Sequence, residues 1–366
     1  MKKQNLLILI LLVFTLSCKS QDSDRPITLK ENNSTSSIGR IVDDFLDEGI
    51  LVIYQDKKGN HWFGGGKSGV YFHDGIDLRL FSTTDGLCSH AVIGIHEDNH
   101  GNLFFDTLDG VCKFNGFEFE NIEVSTSKVN ESWQLNKDDL WFRMGWEHNG
   151  AYRYDGENLI FLEFPKSPGE QEFFNQNPNP PFNPYGTYYH YKDKRGHVWF
   201  GTAAMGLCRF DGQDFAWINE RHLTETPEGG SFGIRSIIES GEGEFWICNT
   251  RFRFLIKDGF KSDGEINMVN YEKNEGIGIE QEDGSYDFPY FMSIVEDASG
   301  DLWMVTYDEG VYRLKDDQLI SYPLRFGNQD ALSFSAYIDQ DGILWIGTHN
   351  TGILRLTNNK FEKFTP

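Results

Sequence analysis

The sequence predicts an all-β protein, a seven-bladed β-propeller of four-stranded antiparallel blades. Three observations lead to this fold: one unit recurs seven times, turn-forming residues stand at two fixed places in the unit, and no copy has the spacing of an amphipathic helix. Units of this kind are typical of blades arranged radially around a central channel. The aromatic residues at the centre of the seven copies are Trp62, Phe104, Trp141, Trp199, Trp246, Trp303 and Trp345.

The copy at residues 193–212 shows the elements of one unit. Its Asp-x-x-Gly segment, 193–196, predicts a tight turn, because the carboxylate bonds nearby backbone amides and the glycine takes a positive φ angle. An apolar strand follows at 198–202, a third strand begins at 207, and Asp-Gly at 211–212 predicts a hairpin turn into the fourth. The first strand comes from an apolar run before the tight turn. In the fifth copy the same hairpin turn is predicted at Asp258-Gly259.

The N-terminal 37 residues predict export and a lipid anchor. Residues 1–17 are predicted to be a signal peptide, since two lysines precede an apolar run that is too short to span a bilayer. The segment 15–18, Thr-Leu-Ser-Cys, resembles a bacterial lipobox, with Thr15 where that motif usually has Leu, Val or Ile. The resemblance implies that Cys18 is lipidated and becomes the mature N-terminus; secretory cleavage beside an incidental cysteine is the alternative.

The predicted domains follow from this anchor. Residues 18–37 are the lipidated cysteine and a flexible tether, rich in Ser, Asn and charge, and residues 38–366 form the propeller. The predicted location is the bacterial cell envelope, at the outer membrane, with the lipid as the only contact with the membrane.

The formal charge of the chain limits its partners. At −23 it argues against a nucleic-acid partner, because no basic stripe exists to neutralise phosphates. A local arginine pocket could still bind one acidic group.

The cysteines and acidic clusters predict neither disulfide bonds nor metal sites. Cys112 and Cys208 hold the same repeat position in different blades, too far apart for a bond, and Cys248 lies in a core strand, so all three are expected to be buried free thiols. The acidic turn at 339–342 lacks the remaining oxygen ligands of a calcium site. No metal and no cofactor are predicted.

The working face is predicted at the end of the propeller opposite the tight turns, where connections vary in length and chemistry. Two segments there, 165–187 and 261–289, are long, and either fold over the channel mouth or are solvated insertions. Two residues after the central aromatic, Asp106 and Arg143 place charge where the other copies have Gly, Cys or Val. They are either an interblade ion pair, or Arg143 grips an acidic or hydroxylated ligand.

The loops beyond these strands complete the predicted site. Trp146 beside His148 is the most ligand-like pair, since an exposed aromatic can stack on a sugar ring, although loop packing is the alternative. The full set of predicted ligand-binding residues is Lys67, Asp106, Arg143, Trp146, His148, Tyr307, Asp308 and His349.

The repeated motif also carries a family resemblance. Asp-x-x-Gly-x-Leu-Trp-Ile-Gly-Thr-x-x-x-Gly-Leu-x-Arg, nearly whole at 339–355 and 193–209, resembles the two-component regulator propeller repeat, and 84–87 is similar to that family's interblade segment. The resemblance covers residues 50–364. It implies the extracytoplasmic sensor part of hybrid histidine kinases, which often control polysaccharide use. Because this sequence has one propeller and no kinase or DNA-binding region, we expect it to bind or assist rather than to signal by itself.

Two functions follow as hypotheses. The first is a non-catalytic, envelope-anchored propeller that binds a small molecule or glycan, or docks an envelope protein. The alternative is a polysaccharide lyase or related enzyme that uses His190, Tyr188 and Arg143 at the channel mouth, as the His/Tyr/Arg sites of propeller-fold polysaccharide lyases imply. Streptogramin lyases have similar turns, but the repeated motif fits the regulator family better.

Overall fold

The computed structural model describes residues 39–45, 49–125, 135–227, 229–262 and 264–366. The signal peptide and tether predicted at 1–17 and 18–37, with Cys18, lie outside these residues, so the predicted domain boundaries stay predictions. Within the described ranges, no helix combines the length and the hydropathy that crossing a bilayer requires.

The described strands form seven successive antiparallel units, which agrees with the seven predicted blades, and the all-β propeller is confirmed. Blade 1 contains β1 (Arg40–Ile41), β2 (Ile50–Gln55), β3 (His61–Gly65), β4 (Val70–His73) and β5 (Leu78–Phe81); β1 pairs with the outer strand, β5. Blade 2 contains β6 (Val92–Glu97), β7 (Leu103–Thr107), β8 (Gly110–Phe114) and β9 (Phe119–Ile122). Blade 3 contains β10 (Leu140–Phe142), β11 (Gly150–Tyr154) and β12 (Leu159–Glu163).

The remaining blades follow the same order. Blade 4 contains β13 (Thr187–Lys192), β14 (Val198–Thr202), β15 (Leu207–Phe210) and β16 (Phe215–Ile218). Blade 5 contains β17 (Ile237–Glu239), β18 (Phe245–Ile247), β19 (Asn249–Ser262) and β20 (Asn267–Glu275). Blade 6 contains β23 (Ser293–Glu296), β24 (Leu302–Val305), β25 (Val311–Lys315) and β26 (Gln318–Tyr322). Blade 7 contains β29 (Ser333–Ile338), β30 (Leu344–Thr348), β31 (Ile353–Thr357) and β32 (Lys360–Lys363).

Short elements connect some of the blades. Helix α1 (Glu170–Gln176) precedes blade 4, and α2 (Arg221–Thr224) precedes blade 5. A hairpin of β21 (Ile279–Glu280) and β22 (Tyr286–Asp287) precedes blade 6, and a hairpin of β27 (Arg325–Phe326) and β28 (Gln329–Asp330) precedes blade 7.

The tight turns between the first two strands have a second partner that the sequence analysis did not anticipate. Asp193 Oδ1 accepts the backbone N–H groups of Arg195 and His197 at 3.0 and 2.8 Å, as the motif predicts. Its Oδ2 accepts the indole N–H of Trp199 at 2.8 Å. The same bond joins Asp56 to Trp62, Asp297 to Trp303 and Asp339 to Trp345, at 2.7 to 2.9 Å. The turn and the central aromatic therefore form one unit.

Aromatic side chains fill the wedges between blades, as predicted. Trp62 of blade 1 contacts Phe105 of blade 2, with ring centroids 5.5 Å apart. Trp199 of blade 4 contacts Phe245 of blade 5 at 5.3 Å in the same way. Trp199 and Phe105 are fully buried. Burial of these large rings is the main source of stability between blades.

Blades 7 and 1 close the ring. The backbone N–H of Gln340 donates to Gln55 Oε1 at 2.8 Å, and the Tyr337 hydroxyl donates to the Gln55 carbonyl at 3.4 Å. Phe63 of blade 1 packs against Trp345 of blade 7 with centroids 6.1 Å apart. Because each blade packs on the next and the last on the first, the inner strands surround a central axis.

Blade 3 differs from the predicted unit. Its described part contains three strands, β10, β11 and β12, rather than four, and residues 126–134 before it lie outside the described ranges. On its channel side, blades 2 and 4 contact each other directly: the rings of His96 and His190 stack with centroids 5.3 Å apart.

Blade 5 corrects the prediction of a hairpin turn at Asp258-Gly259. Strand β19 continues through both residues to Ser262, and its pairing with β20 shifts register between Ile256 and Phe260. Gly259 has a φ of +71°, and a glycine with positive φ occurs in β-bulges as well as in turns. The Asp-Gly sequence alone therefore could not distinguish a bulge from a hairpin turn. Much of the predicted loop 261–289 is therefore strand, and Met268 pairs with Trp217 of blade 4.

The segment 165–187 contains α1 and packs into the core on one side. The Tyr185 ring lies 6.1 Å from that of Trp217, and the Tyr185 hydroxyl accepts the backbone N–H of Ser167 at 2.8 Å. This part of the chain is therefore more than a solvated insertion.

The prediction of a free thiol at Cys112 was wrong. Cys112 forms a disulfide bond with Cys88, with Cα atoms 5.8 Å apart. Cys88 lies in the segment between blades 1 and 2, next to β8, which contains Cys112. The prediction considered only the long distance between Cys112 and Cys208 in separate blades, so it overlooked this nearby partner. Cys208 and Cys248 are buried free thiols, as expected.

Candidate functional site

A cavity of about 240 Å³ lies on the axis of the ring, and all seven blades contribute to its wall. Strands β2, β6, β13, β23 and β29 line it, with Arg143 and Trp146 from blade 3 and Arg235 from blade 5. None of the described residues in this wall is acidic, although the whole chain has 56 Asp and Glu residues. The cavity wall therefore combines aliphatic and aromatic side chains with two arginines, within an acidic protein.

Arg143 forms the interblade ion pair that the sequence left as one of two alternatives. Its Nε lies 3.4 Å from Asp106 Oδ2, and Asp106 also accepts the backbone N–H groups of Arg143 and Met144 at 2.9 Å. The terminal nitrogens donate to the carbonyls of Tyr188, at 2.6 Å, and of Ile93. Arg143 thus lines the cavity, but its side-chain N–H groups already donate hydrogen bonds to residues of blades 2 and 4.

Asp106 is enclosed behind Arg143 and has no exposed surface. Burial raises the pKa of its carboxyl group, and the Arg143 guanidinium and two backbone N–H groups oppose that rise. The carboxylate would be costly to bury alone, so Asp106 depends on Arg143.

The two stacked histidines lie beside this ion pair. Burial, with the charge of Arg143 as a second cause, lowers the pKa of His96 to about 4. Burial, His96 and Arg143 together lower the pKa of His190 well below its ordinary value. Both rings are therefore neutral at pH 7. The His96 ring also contacts Phe142 of blade 3 edge-on, at 5.1 Å.

Arg235 is a wall residue that the sequence analysis missed. Its guanidinium lies 4.4 Å from the centre of the Tyr188 ring, and its Nε donates to the Phe232 carbonyl at 3.0 Å. A comparison of inner strands could have found it. The equivalent positions in five other blades, set by the pairing with the central strand, hold Leu51, Ile93, Tyr188, Met292 and Phe334. A charge at an otherwise apolar or aromatic position was the signal.

Close backbone packing holds the Tyr188 ring. Gly233 has a φ of +72°, and a Cβ there would lie 2.7 Å from the ring, so a larger residue would displace it. On its other side Tyr188 meets Trp146 edge-on, with centroids 6.2 Å apart. Trp146, Tyr188 and Arg235 therefore form a continuous row across blades 3, 4 and 5.

The structure brings some of the predicted ligand residues together and separates others. Arg143 and Trp146 line the cavity. Tyr307 and His349 lie near it, because both contact the wall residue Phe334, with centroids 6.1 and 6.5 Å away. Burial lowers the pKa of His349, and the charge of Lys67 adds to this.

The other predicted residues lie outside the wall. Lys67 and Asp308 are exposed. His148 packs against Tyr152 and Phe161 of blade 3, at 5.9 Å from each ring, and Asp106 is enclosed behind the wall. The eight residues therefore do not form one cluster.

The three residues of the alternative catalytic site, Tyr188, His190 and Arg143, lie close together, but each already contacts other protein groups. Tyr188 is covered by Arg235, Arg143 bonds to protein carbonyls, and His190 stacks on His96 without contributing to the cavity wall. A general base must reach the proton it removes. In this arrangement His190 does not line the cavity in which a substrate would lie.

Fold and cavity define the chain as a β-propeller with an axial cavity. In sequence, residues 328–350 match the family model described as the two component regulator propeller, which confirms the predicted resemblance. No curated protein sequence matches this chain.

Solved structures share the propeller fold. One is the extracellular domain assigned to the hybrid two component system BT4673 of B. thetaiotaomicron, with TM-score 0.58, 20% identity, and coverage of 86% of this chain and 39% of that one. Virginiamycin B lyase from Staphylococcus aureus, in a catalytically inactive form with quinupristin, has TM-score 0.57, 14% identity and coverage of 86% and 97%. PorZ of Porphyromonas gingivalis, a surface component of the type-IX secretion system, matches with TM-score 0.55 and 15% identity. This match covers 83% of this chain and 47% of PorZ.

The chain spans about two fifths of the length of the extracellular domains it matches, at 39 to 41%. At identities of 20% or below, these similarities establish the fold alone.

Proposed function

We propose that this protein binds a small molecule or a glycan fragment in its axial cavity without catalysing a reaction. The observation that carries this proposal is the wall itself: all seven blades contribute, and it contains two arginines, a tryptophan and two tyrosines in a chain of formal charge −23. A concave site with a few polar groups among aromatic side chains is typical of ligand binding.

Two observations favour binding over catalysis. His190 and Arg143, the base and cation of the alternative lyase, are held by protein partners. Similar propellers also occur in extracellular domains assigned to two-component systems and in PorZ, a bacterial surface component. A propeller that recognises a ligand for another protein fits both.

The experiment is a binding and turnover screen of the purified propeller. We expect one panel of mono- and oligosaccharides and small organic acids to give a saturable calorimetric signal at one site per chain. The same mixtures, with uronic-acid polysaccharides added, should develop no ultraviolet absorbance from unsaturated products. Growth of that absorbance would replace the proposal with the lyase, and a folded protein that binds nothing in the panel would count against an axial site.

We also propose that Cys18 carries lipid and holds the propeller at the cell envelope, at the outer membrane. Lipid supplies roughly 0.8 kcal/mol per buried methylene, and no helix of the described residues crosses a bilayer. Cys18→Ala should move the protein into the soluble fraction. If the variant still sediments with membranes, another attachment holds it there.

A further inference from the structure

We propose that the axial cavity takes a ligand bearing a carboxylate, of about monosaccharide size, and that Arg235 binds the carboxylate. This inference rests on the proposed binding function and names its ligand class. It depends on the uncommitted donors of Arg235, on the absence of acid in the described wall and on the row of rings beside it.

The terminal nitrogens of Arg235 are open to the cavity. The side chain uses its Nε for the Phe232 carbonyl, at 3.0 Å, and its guanidinium carbon lies over the Tyr188 ring, 4.4 Å from the ring centre. Among the described residues, no carboxylate lies within ion-pair distance of it and no acceptor bonds its two terminal nitrogens. Those nitrogens present the end-on fork that matches a carboxylate with two parallel hydrogen bonds.

Two other enclosed arginines of the described residues are neutralised by carboxylates. Arg153 lies 2.7 Å from Asp139, and Arg313 lies 2.5 Å from Asp301. An enclosed charge without a partner is unfavourable. Burial, and to a lesser extent the charge of Arg143, lower the pKa of Arg235, so a bound anion would relieve both effects.

Arg143 does not compete for the same ligand group. Its guanidinium already bonds Asp106 and the carbonyls of Tyr188 and Ile93. Among the described residues of its wall, the cavity therefore offers one uncommitted cation, Arg235, which suits a singly charged carboxylate.

The surroundings of Arg235 indicate the rest of the ligand. Tyr188 separates it from Trp146, whose ring meets Tyr188 at 6.2 Å, so a cation and an aromatic face lie in one row. The volume, about 240 Å³, is below the roughly 300–1,000 Å³ of pockets for drug-sized molecules. A small organic acid with a sugar or apolar face fits this space.

Calorimetric titrations with matched ligand pairs test the inference. Glucuronate is compared with glucose, and benzoate with benzamide, so that each pair differs mainly in the carboxylate. We expect at least one acid to bind the wild-type protein at least tenfold more tightly than its neutral partner. Arg235→Gln should lower that affinity at least tenfold, and Arg235→Lys should restore part of it.

The control is Arg325→Gln, which removes an equal charge from the exposed β27–β28 hairpin, where Arg325 pairs with Asp330 at 2.7 Å. Its affinity should equal that of the wild-type protein, and circular dichroism and melting temperature should show that all variants are folded. If acid and neutral partner bind equally, or if folded Arg235→Gln binds the acid as well as wild type, the carboxylate assignment is overturned and the proposed function stands. If none of these ligands binds, the inference fails; binding of other members of the screening panel then decides separately on the proposed function.

Discussion

The tight-turn end and the channel wall come from the same repeated unit but differ in how strictly they repeat. At the tight-turn end, four blades join the turn carboxylate to the indole of the central tryptophan with almost the same distance. At one position of the wall, six blades present six residue types: Leu51, Ile93, Tyr188, Arg235, Met292 and Phe334. The repeated contact stabilises these four blades alike, whereas the varied position is free to shape a ligand site.

Arg143 is an exception to this comparison, because it lies in the cavity wall but stabilises the fold through its ion pair with Asp106. Arg143→Gln should lower the free energy of unfolding by about 3–5 kcal/mol, since Asp106 would be left buried without its partner. Urea denaturation measures this. The double variant Asp106→Asn/Arg143→Gln leaves no buried charge unpaired and should recover part of the loss. Equal stability of single and double variants would show that the ion pair is not the cause.

Asp193→Ala tests the repeated end. It removes a buried acceptor of three hydrogen bonds, including that of Trp199, and should lower the free energy of unfolding by about 3 kcal/mol without changing ligand affinity. Asp98→Ala is the matched control. Asp98 accepts the backbone N–H groups of His100 and Asn102 in the same way, but its second oxygen accepts the side-chain amide of Asn102 instead of an indole, because blade 2 has Phe104 in place of tryptophan. Asp98 is also less buried than Asp193, so the loss should be smaller. Equal losses would mean that the indole bond adds nothing.

The stacked histidines, which lie next to the cavity wall, predict that the free energy of unfolding depends on pH. The folded-state pKa of His96, about 4, lies below the unfolded value of about 6.5, and that of His190 is lowered in the same direction. Between pH 6.5 and 4 the unfolded chain therefore binds more protons, so stability is full above pH 6.5 and falls as the pH falls. Each group contributes at most about 1.4 kcal/mol per pH unit.

Urea midpoints measured from pH 7.5 to 4 check this dependence. The double variant His96→Gln/His190→Gln should show a shallower decline than wild type, because the remaining slope then comes only from carboxylates and from the other histidines whose pKa burial lowers, His73, His222 and His349. Parallel curves for the two proteins would contradict the assignment to these histidines.

Trp146 should show the smallest effect on stability and a clear effect on binding. Trp146→Ala removes a half-buried ring of the wall, so we expect a change of about 1 kcal/mol or less in stability and a loss of ligand affinity. His148→Ala, in the same loop but outside the wall, and Lys58→Ala, at the tight-turn end, serve as controls. If Lys58→Ala weakens binding and Trp146→Ala does not, the working face lies at the other end.

Only part of the cavity wall could be predicted from the sequence. Comparison of the repeats shows where a residue lies within its own blade, but not which residues of other blades it faces across the ring. It picked out Arg143 and Trp146, which line the cavity, by their departure from the central motif. It also picked out His148 by the same reasoning, yet that ring turns to Tyr152 and Phe161 of its own blade. Arg235 escaped notice because the comparison was made on central strands and not on the inner strands that face the axis.

By itself the sequence determined the all-β propeller, its repeating turns and the aromatic wedges, because these depend on local turn chemistry and on side-chain patterns that recur within each copy. Only the tertiary structure decided which residues of different blades meet. The Cys88–Cys112 bond, the Arg143–Asp106 pair and the contact of His96 with His190 join residues 24 to 94 positions apart, through packing that no single repeat contains. The cavity belongs to this second class, since its wall exists only when seven inner edges converge on one axis.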